Sequence, residues 1–189
     1  MLRPAAVLAA LFAAALLALP AAAVELGDDG LHKPLWLRET FKDLREDLAE
    51  ANAEGKRLLV TYEQRGCIYC TEMHEKVFTD PAIEKLIVDH YFVVQLNLFG
   101  DVEVTDFDGT TMSEKEMAMR WGVMFTPTLI FLPEEVAEDT TAADAAVAMM
   151  PGSFGKGTTE ALLIWVRDRI YEDGENFQKF VAERMVGEN

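Results

Sequence analysis

Leu58-Leu59-Val60-Thr61-Tyr62-Glu63-Gln64-Arg65-Gly66-Cys67-Ile68-Tyr69-Cys70 is the stretch on which the fold of this chain turns. Lys56 to Tyr62 is a compact apolar and β-branched run that reads as a buried strand. It leads directly into Arg65-Gly66-Cys67, and a helix is expected from Cys67 to about Val77, so the cysteines sit where a strand hands over to a helix. The chain holds two cysteines in 189 residues. A bridge between positions this close restrains little of the unfolded chain and is a poor staple, so the pair points to chemistry. A thiolate is the attacking species in disulfide exchange, and a free cysteine with a pKa of about 8.5 is mostly protonated at neutral pH. A helix N-terminus aims free N–H groups at a sulfur placed there and lowers that value. Cys67 is therefore the candidate nucleophile. Cys70, nearly one turn on, is the candidate resolving thiol and the more buried of the two.

Outward from this stretch, Asp80-Pro81 opens a helix to about Asp89, since Asp is a good N-cap and Pro is tolerated at the first helical position. Tyr91 to Leu98 is a second strand, which gives a βαβ unit with parallel strands and a right-handed crossover. Upstream, Leu37, Phe41, Leu44, Leu48 and Ala51 recur at helical spacing and predict a helix over 38–53, stopped by Gly55. Residues 102–110 read as a small hairpin or loop around Asp108-Gly109. Ser113 and Glu116 form a capping box for a helix to about Trp121. Thr128 to Leu132, following Thr126-Pro127, is a buried strand; Glu134 to Ala143 is read as an exposed acidic loop and Ala145 to Met149 as the last strand. A helix carrying Leu162, Leu163, Val166 and Ile170, and a second carrying Phe177, Phe180 and Val181, complete the chain.

The N-terminus has the layout of a secretory signal peptide over 1–23: Arg3, an apolar run from Ala5 to Leu19, and Ala21-Ala22-Ala23 as a small-residue cleavage site. That run spans about 22 Å as a helix, short of a hydrocarbon core of about 30 Å, which argues against a retained anchor. Cleavage after Ala23 leaves an irregular mature segment, 24–36, and a single domain in a periplasmic location. With 33 acidic against 17 basic residues and a net charge of −16, the chain repels phosphate backbones and anionic lipid, which excludes nucleic acid as a natural partner.

The strand Leu58 to Tyr62, Cys67-Ile68-Tyr69-Cys70 opening a helix and Thr126-Pro127-Thr128 opening a later strand together resemble the thioredoxin superfamily over about residues 37–186. Val77-Phe78-Thr79-Asp80-Pro81 is similar to its exported bacterial branch. Asp106-Phe107-Asp108-Gly109, Arg120 to Thr128 and Trp165-Val166-Arg167-Asp168 resemble the SoxW thioredoxins associated with sulfur oxidation. The resemblance implies an α/β fold, a central mixed sheet flanked by helices over 37–189 with extra N- and C-terminal helices. It implies a thiol:disulfide oxidoreductase without metal or organic cofactor, acting on exported client proteins and recharged by a membrane electron donor. It further implies that Pro127 is cis against the disulfide and that the backbone of Thr126 pairs with substrate.

The chain departs from thioredoxin at several positions. Gly66 replaces the Trp before the first cysteine, Ile68-Tyr69 replaces Gly-Pro, and Thr61 falls where thioredoxin has its buried acid. Glu63 either substitutes for that acid or is solvated, which leaves no clear base for the thiols. Strongly oxidising exported relatives often carry His before the second cysteine. Tyr69 stands there and favours a reductant, whereas Arg65, a cation beside the thiolate, argues the other way. Trp121, Met124 and Phe125 read as an apolar rim for clients or as core. Two alternatives stay open: copper handling through Cys67, Cys70 and perhaps His74, otherwise an ordinary surface or half-buried residue, and a partner-binding domain with an inert bridge.

Overall fold

The computed structural model describes residues 24–174 and 176–187; the leader expected over 1–23 lies outside them. The helices are α1 (Leu44–Ala53), α2 (Ile68–Glu72), α3 (Pro81–His90), α4 (Glu114–Arg120), α5 (Ala142–Ala145), α6 (Lys156–Arg167) and α7 (Phe177–Gly187). The strands are β1 (Arg57–Glu63), β2 (Tyr91–Asn97), β3 (Glu103–Thr105), β4 (Thr111–Ser113), β5 (Thr128–Phe131) and β6 (Ala148–Pro151).

The run that decides the sequence reading becomes β1, an interior strand buried along its whole length. It pairs in parallel with β2, Leu58 opposite Phe92 and Tyr62 opposite Leu96, and antiparallel with β5. β6 joins β5 antiparallel, so the sheet order is β2-β1-β5-β6, the expected mixed sheet. β3 and β4 form a separate hairpin.

Alternation along the strands sends side chains to two cores. Leu58, Val60 and Tyr62 pack with Phe92, Val94 and Leu96 beneath Leu44 and Leu48 of α1 and Met117 of α4. On the other face, Leu59, Val93, Leu129 and Phe131 meet Met73, Ile83 and Ile87 of the βαβ crossover and Leu162, Leu163 and Val166 of α6. Each face buries its own helices, which leaves the ends of the strands to carry chemistry.

Five expectations are corrected. The first helix starts at Leu44 instead of residue 38, because Leu37 bridges Val93 in extended form, Arg38 N donates to Val93 O at 2.9 Å and Lys42 is left-handed at φ 59°. Asp43 is the true N-cap, accepting from Arg45 N at 3.0 Å and Glu46 N at 3.2 Å. Residues 134–143 are not wholly an exposed loop: Thr141 caps α5, and Ala142 is buried. That turn of helix uses Ala145 and delays the last strand to Ala148. The C-terminal helix closes at Arg167, with Ile170 in a 3-10 turn, and the expected helix from Cys67 to Val77 divides into α2 and a π-helical turn over Met73–Val77.

Candidate active site

β1 ends at Glu63, and a short turn reverses the chain at Gly66, whose φ of 72° is a left-handed conformation that favours glycine. Cys67 follows as the N-cap of α2, with its Sγ accepting from Cys70 N at 3.0 Å. The two cysteines form a disulfide with Cα atoms 5.2 Å apart. Cys67 is 6 % exposed and Cys70 is 0 % exposed, so only the first sulfur faces outward. Ile68 and Tyr69 between them are exposed.

The second half of the site arrives with β5. The Thr126-Pro127 peptide is cis, Thr126 Oγ1 donates to Cys67 Sγ at 3.3 Å, and Thr126 O lies 3.5 Å from the same sulfur. Gly152 N donates to Pro127 O at 2.7 Å and ties this turn to the end of β6. Met124 and Phe125 are exposed beside it. Trp121 is core: it is buried in an edge contact with Tyr62, and its Nε1 donates to Asp106 Oδ2 at 2.7 Å. The apolar rim is thus Met124 and Phe125 with Ile68 and Tyr69. The guanidinium of Arg65 is engaged with the N-terminal segment, donating to Asp28 O at 2.8 Å and Asp29 O at 3.2 Å.

Below this surface lies a polar cluster. Glu63 is 1 % exposed, which overturns its solvated reading, and its Oε1 lies 2.9 Å from His74 Nε2. His32 Nδ1 approaches Glu63 Oε2 at 3.6 Å. Burial alone pushes the Glu63 carboxyl up, but the His32 and His74 rings and the Gln95 amide outweigh it and hold the group at about 2. His74 is 1 % exposed, neither a surface nor a half-buried residue, because the π-helical turn brings both Met73 and His74 inward. Among the described residues, the set that gathers metal-ligating atoms is His32, Glu63 and His74, without either cysteine. Thr61 is buried at the position where thioredoxin has its acid. Nothing in the sequence marks His32, which falls in the segment read as irregular and joins the cluster only through the tertiary fold.

Comparison with known proteins settles the family. The thioredoxin-like domain matches residues 44–138, just over half of the chain. The chain belongs to the thioredoxin-like domain family. A thioredoxin-fold protein from Helicobacter pylori superposes with a TM-score of 0.53 at 19 % identity, over 69 % of this chain and 85 % of that one. A thioredoxin from Thermus thermophilus gives 0.50 at 24 % identity, over 66 % and 83 %. A search of curated proteins finds no match. In this thioredoxin-like domain Cys67 has the buried Cys70 sulfur behind it and the Thr126 hydroxyl across from it.

Proposed function

We propose that this thioredoxin-like domain is a periplasmic thiol:disulfide oxidoreductase that works as a reductant of disulfides on exported client proteins. The observation that carries the reading is the Cys67–Cys70 disulfide, with Cys67 at the surface end and Thr126 Oγ1 directed at its sulfur. In the dithiol form, the Cys67 thiolate attacks one sulfur of a client disulfide, forming a mixed disulfide and releasing the first client thiolate. Cys70, as thiolate, then attacks Cys67 Sγ, which re-forms the internal disulfide and releases the second client thiolate. Two electrons pass to the client, and two protons end on its thiols. A membrane electron donor returns two electrons and restores the dithiol. No metal or organic cofactor enters these steps.

The N–H of Cys70 and the hydroxyl of Thr126 converge on Cys67 and favour negative charge there when it leaves as thiolate. Met124 and Phe125 supply apolar surface for an extended client segment. Tyr69, which brings no cation to the pair, supports the reducing direction. The apolar leader-like run at the N-terminus supports export. Membership of the SoxW branch, and with it a link to sulfur oxidation, is supported by Asp106 to Gly109, Arg120 to Thr128 and Trp165 to Asp168.

Reduction of insulin by the dithiol form tests the activity: the wild-type chain precipitates the B chain, and Cys67→Ser does not. An undiminished rate in Cys67→Ser would remove the mechanism. A reduction potential below about −300 mV, the range of structural disulfides, would instead favour the inert bridge.

A further inference from the structure

We propose that His32, Glu63 and His74 bind one divalent first-row transition-metal ion of the zinc or cobalt type, which clips the N-terminal segment to the end of β1 and the π-helical turn. This site is separate from the cysteine pair and takes no part in the exchange steps.

The donors come from three distant parts of the chain, and their ligating atoms all lie within 4.8 Å of one another. The two donor pairs that share the carboxylate are 2.9 Å and 3.6 Å apart. Those values bracket the separation of about 3.3 Å between neighbouring ligands in a tetrahedron with bonds of about 2.0–2.1 Å. Two imidazole nitrogens and a carboxylate oxygen form a borderline donor set that suits zinc and its neighbours.

Hydrogen bonding within the protein leaves this cluster incomplete. Glu63 Oε2 is buried without a hydrogen-bond partner. The basic groups of the adjoining segments are engaged elsewhere: Lys33 Nζ donates to Asp29 and to Gln95 Oε1, and Arg65 donates to backbone carbonyls. The His32 and His74 rings stack with centroids 4.4 Å apart and planes 16° from parallel, which sets the two imidazoles side by side against the carboxylate. Trp36 and Phe78 flank His74 and keep the position dry. The His32 side chain is 12 % exposed, near enough to the surface to close on an ion.

The test uses the oxidised full chain, whose cysteines are bridged and unable to ligate. Titration with Co²⁺ is expected to give one equivalent bound with visible d–d absorption, displaced by Zn²⁺. Zn²⁺ is expected to raise the thermal midpoint and protect the 24–37 segment from protease. His32→Ala, near the surface, keeps the far-UV spectrum and loses both effects; Glu63→Gln loses binding as well, and a chain with Cys67→Ser and Cys70→Ser retains it. Failure of the oxidised wild type to bind one equivalent would overturn the site. So would binding that survives His32→Ala, or binding that disappears with the two serine substitutions.

Discussion

Thr126 reaches Cys67 from 59 positions away, and its hydroxyl is one of two donors on that sulfur. Thr126→Val keeps the shape and removes the donor, a loss of about 1.5 kcal/mol for a hydrogen bond to a charged group. Part of this returns, because a less stabilised thiolate is a stronger nucleophile. The expected outcome is a several-fold slower reaction with a neutral disulfide at neutral pH, measured by stopped flow. Cys70→Ser should stop the cycle one step later and accumulate a mixed disulfide on Cys67, visible by mass spectrometry of the intact conjugate. A third residue sets a pH response. Asp47 on α1 is buried with Oδ2 unpartnered; burial, opposed by a hydrogen bond from Thr40 and reinforced by Asp43, Glu50 and Glu46, pushes its carboxyl up to about 7. The unfolded value is about 3.9, so between these limits the folded state holds a proton that the unfolded state has lost. This contribution is full below pH 4 or so and is lost as pH rises through about 7. Urea midpoints should therefore fall between about pH 4 and 7, and Asp47→Asn should flatten the fall. The Cys67–Cys70 pair was legible at this scale because its spacing marks it, and the cis Thr126-Pro127 peptide only through the family resemblance. Glu63 was not, because a strand buried on both faces gives no alternation from which to read a side chain's direction.

Elements were legible where one periodicity had one cause. β1, β2, β5 and α3 stand close to their expected positions because each is a single buried run or a single capped helix. The helix expected over 38–53 was placed six residues too early at its start because Leu37 and Phe41 share its spacing while doing other work, one bridging β2 and the other exposed. The capping box held: Ser113 N donates to Glu116 Oε2 at 3.0 Å at the start of α4. What joins α4 to its surroundings is Asp106, fully buried, which accepts from Trp121 Nε1 at 2.7 Å, Ala142 N at 2.8 Å and Arg120 at 3.1 Å. It links the hairpin, the end of α4 and the start of α5. Asp106→Ala leaves several buried donors unmet and should cost about 3–5 kcal/mol by urea denaturation. Asp108→Ala, which removes a partly exposed ion pair with Arg120, should cost much less.

At the scale of the molecule, the charge of −16 surrounds a site that must meet other disulfides. Like-charge encounters are slow at low salt and quicken as the field is screened. Exchange between the dithiol form and a dianionic aromatic disulfide should accelerate several-fold between about 10 and 200 mM salt, while a neutral disulfide should show no such rise. The parallel pair was legible from the strand–helix–strand run, and the mixed sheet only through the resemblance to the thioredoxin superfamily. The juxtaposition of His32, Glu63 and His74 was not, because it exists only after three segments have met. The sheet also has two unlike margins. Along β2, Leu37 and Arg38 lie against the outer strand and occupy part of its edge. Beyond β6 no further strand pairs among the described residues, yet that strand is four residues long and ends in Pro151, which has no N–H to offer. Neither margin offers a long free ladder, so the fold guards itself against growing edge to edge into aggregates when the protein is crowded.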